Sequence, residues 1–421
     1  MSKEKYMAYI GSYSYTGNAK GITVCDVDVE KGTFTKRTEI EVNNSSYLVA
    51  SRDQKTLYSI ADEGVVSFRI LENGALQKLN TQNIRGMRGC HLAIDQFDQY
   101  LMVSGYHDGK ATLLALNPDG SVGPIVDGVF DKGIGSVAER TFRPHVSCAR
   151  MTDDQKYILV ADLGIDQVRI FRFDKVDGRM RQIDTLRCEL KSAPRHFRFS
   201  PDRKFLYLMY EVKNVVDVYR FTEGKRPNDI NLEKIQTIST HNDPSNSPLI
   251  AACQMRFSPD KDAKHLFVSN AGIDTITMYE RDVETGLLTM KSSLPVSGVY
   301  PKDFCIFPDE KHIAAANNES GTITFFSMDY DTGMLVMSAR DIPVDEPNCI
   351  CMVKLPSGQE KRVSGGHPWQ AIPVENSFVS PPSVSHTDRH SASSSMAVRL
   401  ASHCPSRTSS RIWTGGSRAR I

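Results

Sequence analysis

The sequence predicts an all-β fold, a seven-bladed β-propeller with four-stranded blades, on three observations. A two-strand hairpin pattern recurs at a propeller period, further short alternating runs follow each hairpin, and no helical stripe intervenes. The two chain ends also read as complementary parts of one last blade.

In order, the hairpins are SYLVASRDQKTLYSI (46–60), CHLAIDQFDQYLMVS (90–104), HVSCARMTDDQKYILVA (145–161), RHFRFSPDRKFLYLM (195–209), QMRFSPDKDAKHLFVS (254–269) and KDFCIFPDEKHIAAA (302–316). The first apolar residues after their turns are Leu57, Leu101, Ile158, Leu206, Leu266 and Ile313, spaced by 44, 57, 48, 60 and 47 residues. Such periods suit blades, with insertions in the longer gaps. Asp202, Asp260 and Asp309 accept hydrogen bonds in the turns while Pro201, Pro259 and Pro308 fix φ, so these repeated turns need no functional reading.

Behind the hairpins come VVSFRI and ALQKLN, ATLLAL, VRIFRF and RMRQID, VVDVYRF, TITMYERD and LLTMKS, then TITFFSMD and MLVMSAR. Turns such as Glu72-Asn73-Gly74, Asp119-Gly120, Asp177-Gly178 and Thr332-Gly333 separate many of them. A seventh unit starts at PNCICM (347–352) and is completed by YMAYIGSY, GITVCDVD and GTFTKRTEI from the N-terminus. A last blade closed by N- and C-terminal strands fastens the ring and removes open sheet edges. The propeller domain is therefore assigned to residues 1–358. From Gly365 to Ile421 there are 13 serines and six arginines against two acids, without alternation, so residues 359–421 are predicted to form a disordered Ser/Arg-rich tail.

The 51 basic and 50 acidic residues leave a net charge of +1, which predicts no nucleic-acid and no membrane partner. An anionic ligand would be held by local arginines and lysines. MSKEKYMAYIGSY lacks the apolar stretch of a secretory signal, and no run approaches the roughly 18 apolar residues of a membrane span. Nine cysteines without a CxxC pair predict free thiols and a cytoplasmic location. A monomer is compatible with these properties.

HExxH, P-loop, strand-linked GxGxxG and GxSxG motifs are all absent, and no tight His/Asp cluster supports a metal. The repeat supplies a better filter, because the starts of the inner strands converge at one channel mouth. His91, His145, Arg195, His196, Arg256 and Lys302 stand at such starts, and Tyr106, Asp162, Glu211 and Asn270 at the ends of the second strands. This cationic, imidazole-rich set suits hydrolysis or isomerisation of an anionic oxygenated molecule. Arginine can hold a developing oxyanion, and histidine or glutamate can move the protons. Singly, each residue reads equally well as a satisfied structural group; together they would be costly to bury without a task.

The segments YIGSYSYTGNAKGI, RPHVSCARMTDDQKYILVADLGIDQVRIF, APRHFRFSPDRKFLYLMYEVKNVVDVY and LFVSNAGIDTITMY resemble the seven-bladed propeller lactonases over residues 6–355. That family's best-known members are cytosolic 6-phosphogluconolactonases, and a fungal carboxymuconate-cyclising enzyme is related to them. The resemblance implies a catalytic group of His145, Arg195 and Glu211, with no metal or organic cofactor. It implies a small anionic lactone as substrate, foremost 6-phosphogluconolactone in the oxidative pentose phosphate pathway. Another lactone, a muconate-type cyclisation and a non-catalytic binding propeller are the alternatives. His91, Tyr106, Arg143, His196, Arg256, Asn270 and Lys302 are the expected substrate-binding residues. Two positions depart from the family: Ser147 replaces the second histidine of PHxH, and Ala271 replaces the arginine of SNRG. Arg143, Arg256 or Lys302 would have to compensate for the missing cation.

Overall fold

The computed structural model describes residues 4–135, 142–225, 228–244 and 247–356. The domain boundary expected at 358 and the tail expected at 359–421 lie outside the described residues. The described residues form seven four-stranded antiparallel sheets and contain no helix, so none is long and apolar enough to cross a membrane.

The inner strands are Leu48–Ala50, His91–Ile94, Val146–Met151, Pro194–Phe199, Ala251–Phe257, Pro301–Ile306 and Pro347–Lys354, one for each of blades 1 to 7. Each contacts its neighbour around a closed ring. In the seventh blade, Pro347–Lys354 pairs with Tyr6–Ser12, and Gly21–Asp28 and Thr33–Glu41 complete the sheet. Closure from both chain ends is thus as expected. Two outer strands were not among the expected runs. Val122–Phe130 carries Gly123 and Pro124, and Ile230–Ser239 is mostly half-exposed, so neither offers a clear apolar alternation.

The core lies between adjacent blades. Cys148, Leu159 and Val168 of the third blade pack on Phe197, Leu206 and Tyr210 of the fourth. Ile10, Phe34 and Ile350 of the closing blade pack on Phe307 and Phe325 of the sixth. Each such side chain contributes roughly 1.5–3 kcal/mol through burial. All eight described cysteines are free thiols.

One irregularity positions the site. At the start of the inner strand in five blades, the pairing with the second strand slips by one residue, skipping Ser147, Arg195, Cys253, Lys302 and Asn348. A bulge of this kind re-aims a side chain. By register, Ser46 and Cys90 occupy the same level in the first two blades. Three residues further along the inner strands, Arg150, Arg198 and Arg256 stand at one level in three successive blades.

Candidate active site

The hairpin ends are set by backbone hydrogen bonds to two buried carboxylates. Asp162 Oδ1 accepts from the backbone N–H groups of His145 (2.8 Å), Gly164 (2.9 Å) and Ile165 (3.2 Å). Gly164 passes so close to Arg143 that a Cβ there would lie 1.7 Å from its carbonyl oxygen. Asp166 accepts from Lys191 N and Ala193 N, both at 2.8 Å, and so fixes the turn leading into Pro194–Phe199. The backbone N–H of Glu211 donates to Ala193 O at 2.8 Å, which brings the far end of the hairpin back beside Arg195.

The seven residues at the slipped level, from Ser46 to Asn348, all line a cavity of about 370 Å3 at one mouth of the channel. Within it, Arg195 Nη1 donates to Glu211 Oε2, and Arg195 Nε donates to Cys253 O at 2.7 Å. The two side chains are 26% and 10% exposed, enough to meet a ligand in the cavity. Burial opposes the guanidinium charge, but the Glu211 carboxylate more than restores it and holds Arg195 above its ordinary pKa. Arg195 is therefore a permanent cation.

Lys302 is the second cation of the wall. Burial and then the Arg195 charge push it down to about 8. Its Nζ lies 4.8 Å from the Tyr13 ring centroid and 5.9 Å from that of Tyr300. The Arg88 guanidinium sits 5.2 Å from the same Tyr13 ring and pairs with Asp62 at 2.9 Å. Tyr13 thus gathers two cations at the mouth through its π face. Burial pushes the Cys90 thiol up to about 12 and also raises Cys253, so neither supplies a thiolate nucleophile at neutral pH.

The structure brings Arg195, Glu211, His91, Tyr106, His196 and Lys302 together in this wall, as expected from the sequence. His145 is not in the wall. It is 3% exposed, its ring stacks on Tyr106 with centroids 4.2 Å apart, and its Nδ1 lies 2.6 Å from Tyr106 O. It braces Tyr106 from behind. The wall position of that strand belongs to Ser147, whose Oγ donates to Pro194 O at 2.9 Å.

The remaining expected residues lie elsewhere. Arg143 is exposed, with its guanidinium over Phe142 and outside the wall. Asn270 is fully buried and donates to Thr240 O at 2.7 Å, a structural bond. Arg256 is not brought to this cavity; it stands toward the opposite mouth, bound to both oxygens of Asp303 at 2.8 Å. Ala271 is buried in an apolar cluster with Ala251, Cys253 and Tyr300. Sequence reasoning missed Tyr13, Arg88 and Gln254 in the wall, and at the slipped level also Ser46, Cys90, Cys253 and Asn348. Aligning the repeat would have found Cys253 and Asn348, because they stand level with Arg195.

Among the described residues, His91, Cys148 and His196 offer ligand atoms within 4.8 Å of one another. Their surroundings oppose a metal cation. Arg150 Nη2 donates to His91 Nε2 at 3.3 Å and so occupies that lone pair, and the charges of Arg150 and Arg198 bear on both imidazoles.

Comparison with known proteins agrees with this architecture. A family model described as lactonase, 7-bladed beta-propeller, matches residues 7–352. The chain is 29% identical to a 6-phosphogluconolactonase of Bacillus subtilis over 314 residues, covering 72% of this chain and 86% of that one. It is 25% identical to a 6-phosphogluconolactonase of Formosa agariphila over 313 residues, covering 71% of this chain and 86% of that one. A crystal structure from Bacteroides fragilis, described as a candidate 6-phosphogluconolactonase, superposes with a TM-score of 0.74 at 31% identity, covering 84% of this chain and 98% of that one.

Proposed function

The chain belongs to the seven-bladed β-propeller lactonase family, and on that premise we propose that it hydrolyses a sugar-acid lactone, with 6-phosphogluconolactone as the substrate. The observation that carries this reading is the Arg195–Glu211 pair in the wall of the channel-mouth cavity, with Lys302 beside it. The relatives named 6-phosphogluconolactonases support the choice of substrate. With that substrate go a cytoplasmic location and a place in the oxidative pentose phosphate pathway.

In this reading the lactone carbonyl oxygen rests on Arg195, which stabilises the oxyanion as water attacks the carbonyl carbon. One donor of this kind is worth about 100- to 1000-fold in rate. Glu211 takes the proton from the attacking water. The bond from the carbonyl carbon to the ring oxygen then breaks, and the proton returns to the departing oxygen as its hydroxyl forms. The product is the open-chain hydroxy acid, with water as the only co-substrate. Lys302 and Arg88 receive the phosphate. His145 is a positioning residue acting through Tyr106, which leaves Glu211 as the base.

Ser147 and Ala271 favour a second reading, a lactone whose anionic group lies elsewhere or is absent. Measuring kcat/KM for freshly generated 6-phosphogluconolactone and for unphosphorylated glucono-δ-lactone, corrected for spontaneous opening, separates the two. A preference of about tenfold or more for the phosphorylated lactone is expected from one charge-assisted contact. Equal or reversed values would replace the substrate, and background rates with both would remove the lactonase reading.

A further inference from the structure

The opposite mouth of the channel opens into a second cavity of about 390 Å3. Arg150, Arg198 and Arg256 line it from equivalent positions in three successive blades, and Arg52 joins them. No acidic side chain is among the lining residues. The nearby carboxylate, Asp303, is already committed: both its oxygens accept from Arg256, and they also accept from Phe304 N and Ile350 N at 2.8 Å. Arg52 donates to the carbonyls of Ile94 and Asp95.

Arg150 and Arg198 lack such compensation. The Nε of each is buried without a hydrogen-bond partner. Burial, and then the charge of Arg150, hold Arg198 below its ordinary pKa. Converging guanidiniums of this kind are costly unless a counter-charge satisfies them. Their planar forks match the oxygens of phosphate and carboxylate groups.

We propose that this mouth is a second ligand site, specific for a small anion that carries two or more phosphate or carboxylate groups. It is separate from the lactone cavity. Tyr47 and His91, with ring centroids 4.7 Å apart, stand between the two, and His91 in turn contacts His196 at 4.8 Å. The Arg195 cavity requires one reactive carbonyl beside Glu211, whereas the charged groups of this site are all arginines, set among apolar side chains, Tyr47 and the thiols of Cys305 and Cys351, which burial pushes up to about 12 and about 11.

The test is calorimetric titration of the full chain with pyrophosphate and, separately, with citrate, at constant ionic strength so that general screening is removed. Two double variants are compared with the wild type: Arg150→Gln/Arg198→Gln at this mouth, and Arg195→Gln/Lys302→Gln at the other. The first is expected to weaken binding by about tenfold or more, because two charge-assisted contacts are lost. The second retains the site. Thermal unfolding supplies an independent readout: without ligand the Arg150→Gln/Arg198→Gln chain melts higher than wild type, and its pyrophosphate-induced rise disappears. Should that double change prevent folding, Arg198→Lys gives the same comparison with a severalfold loss. Tighter binding of pyrophosphate than of citrate identifies phosphate as the recognised group, and the reverse identifies carboxylate. Unchanged binding after the Arg150 and Arg198 substitutions, or complete loss of binding after the Arg195 and Lys302 substitutions, would overturn the proposal.

Discussion

Arg195 and Glu211, 16 residues apart at the two open ends of one hairpin, pair side chain to side chain in the wall of the channel-mouth cavity. The pairing depends on the register slip between Pro194 and His196, which leaves Arg195 outside the strand ladder and turns it toward the channel. Asp166 fixes the turn on one side, and the bond from Glu211 N to Ala193 O fixes the other. Both members of the pair thus stand at the ends of the hairpin, while Arg198, within its first strand, lines the cavity at the other mouth.

Replacing Glu211 by glutamine keeps the shape and removes the charge. Lactone hydrolysis should fall by about 100-fold or more, since a general base is worth that much. Stability should also drop, because the partly buried Arg195 cation loses its counter-charge and keeps only the Cys253 carbonyl. Initial rates and thermal unfolding of Glu211→Gln check both outcomes.

Lys302 should give the enzyme a pH-dependent affinity. Its folded-state pKa of about 8 lies below its ordinary value of 10.5. Below about 8 the ammonium form holds an anionic ligand; as pH rises through 8 that charge disappears and KM for a phosphorylated lactone rises. The stability effect has the opposite sign. Between 8 and 10.5 the unfolded chain binds the proton more readily, so stability increases with pH across this window. Binding of the 6-phosphogluconate product from pH 6 to pH 10, against Lys302→Met, reads the first effect: the variant should lose the dependence near pH 8.

His145 should behave as a brace. His145→Ala removes the stack on Tyr106 and is expected to lower kcat by about tenfold, a cost typical of a misplaced neighbour of the reacting groups. The pH profile should keep its shape, and His145→Phe, which retains an aromatic face for Tyr106, should recover much of the rate. A lost limb in the profile of His145→Ala would instead make this histidine a proton-transfer group.

The closing blade should carry the stability of the ring. Ile350 is 1% exposed and packs with Ile10, Phe307 and Phe325 across the joint between the chain ends and the sixth blade. Ile350→Ala should cost about 2–5 kcal/mol, measured by denaturant unfolding. A chain ending at Pro356, which keeps all of Pro347–Lys354, should retain the full-length melting temperature and activity.

The fold was legible because each hairpin combines an apolar alternation with a turn that has a mechanism, repeated until the count closed on the two termini. The outer strands Val122–Phe130 and Ile230–Ser239 were less legible, since a strand at the rim of a blade buries little and need not alternate cleanly. Within the site, Arg195, Glu211 and Lys302 followed from their places at strand starts and ends. His145 and Arg256 did not, for two geometric reasons. The bulge at Ser147 turns that side chain to the channel and parts it from His145, which a regular strand would place on the same face, and alternation alone does not reveal a bulge. Arg256 lies three residues beyond Cys253, about 10 Å along the strand, which carries it toward the other mouth.

The most direct test of the central claim is hydrolysis of freshly generated 6-phosphogluconolactone by the wild-type chain and by Arg195→Ala, each corrected for spontaneous ring opening. The account predicts clear wild-type turnover and a fall of about 100-fold or more in the variant, as expected for loss of the group that holds the oxyanion. Equal rates in the two proteins, whether at background or above it, would contradict the assignment of Arg195 and its cavity as the reaction centre.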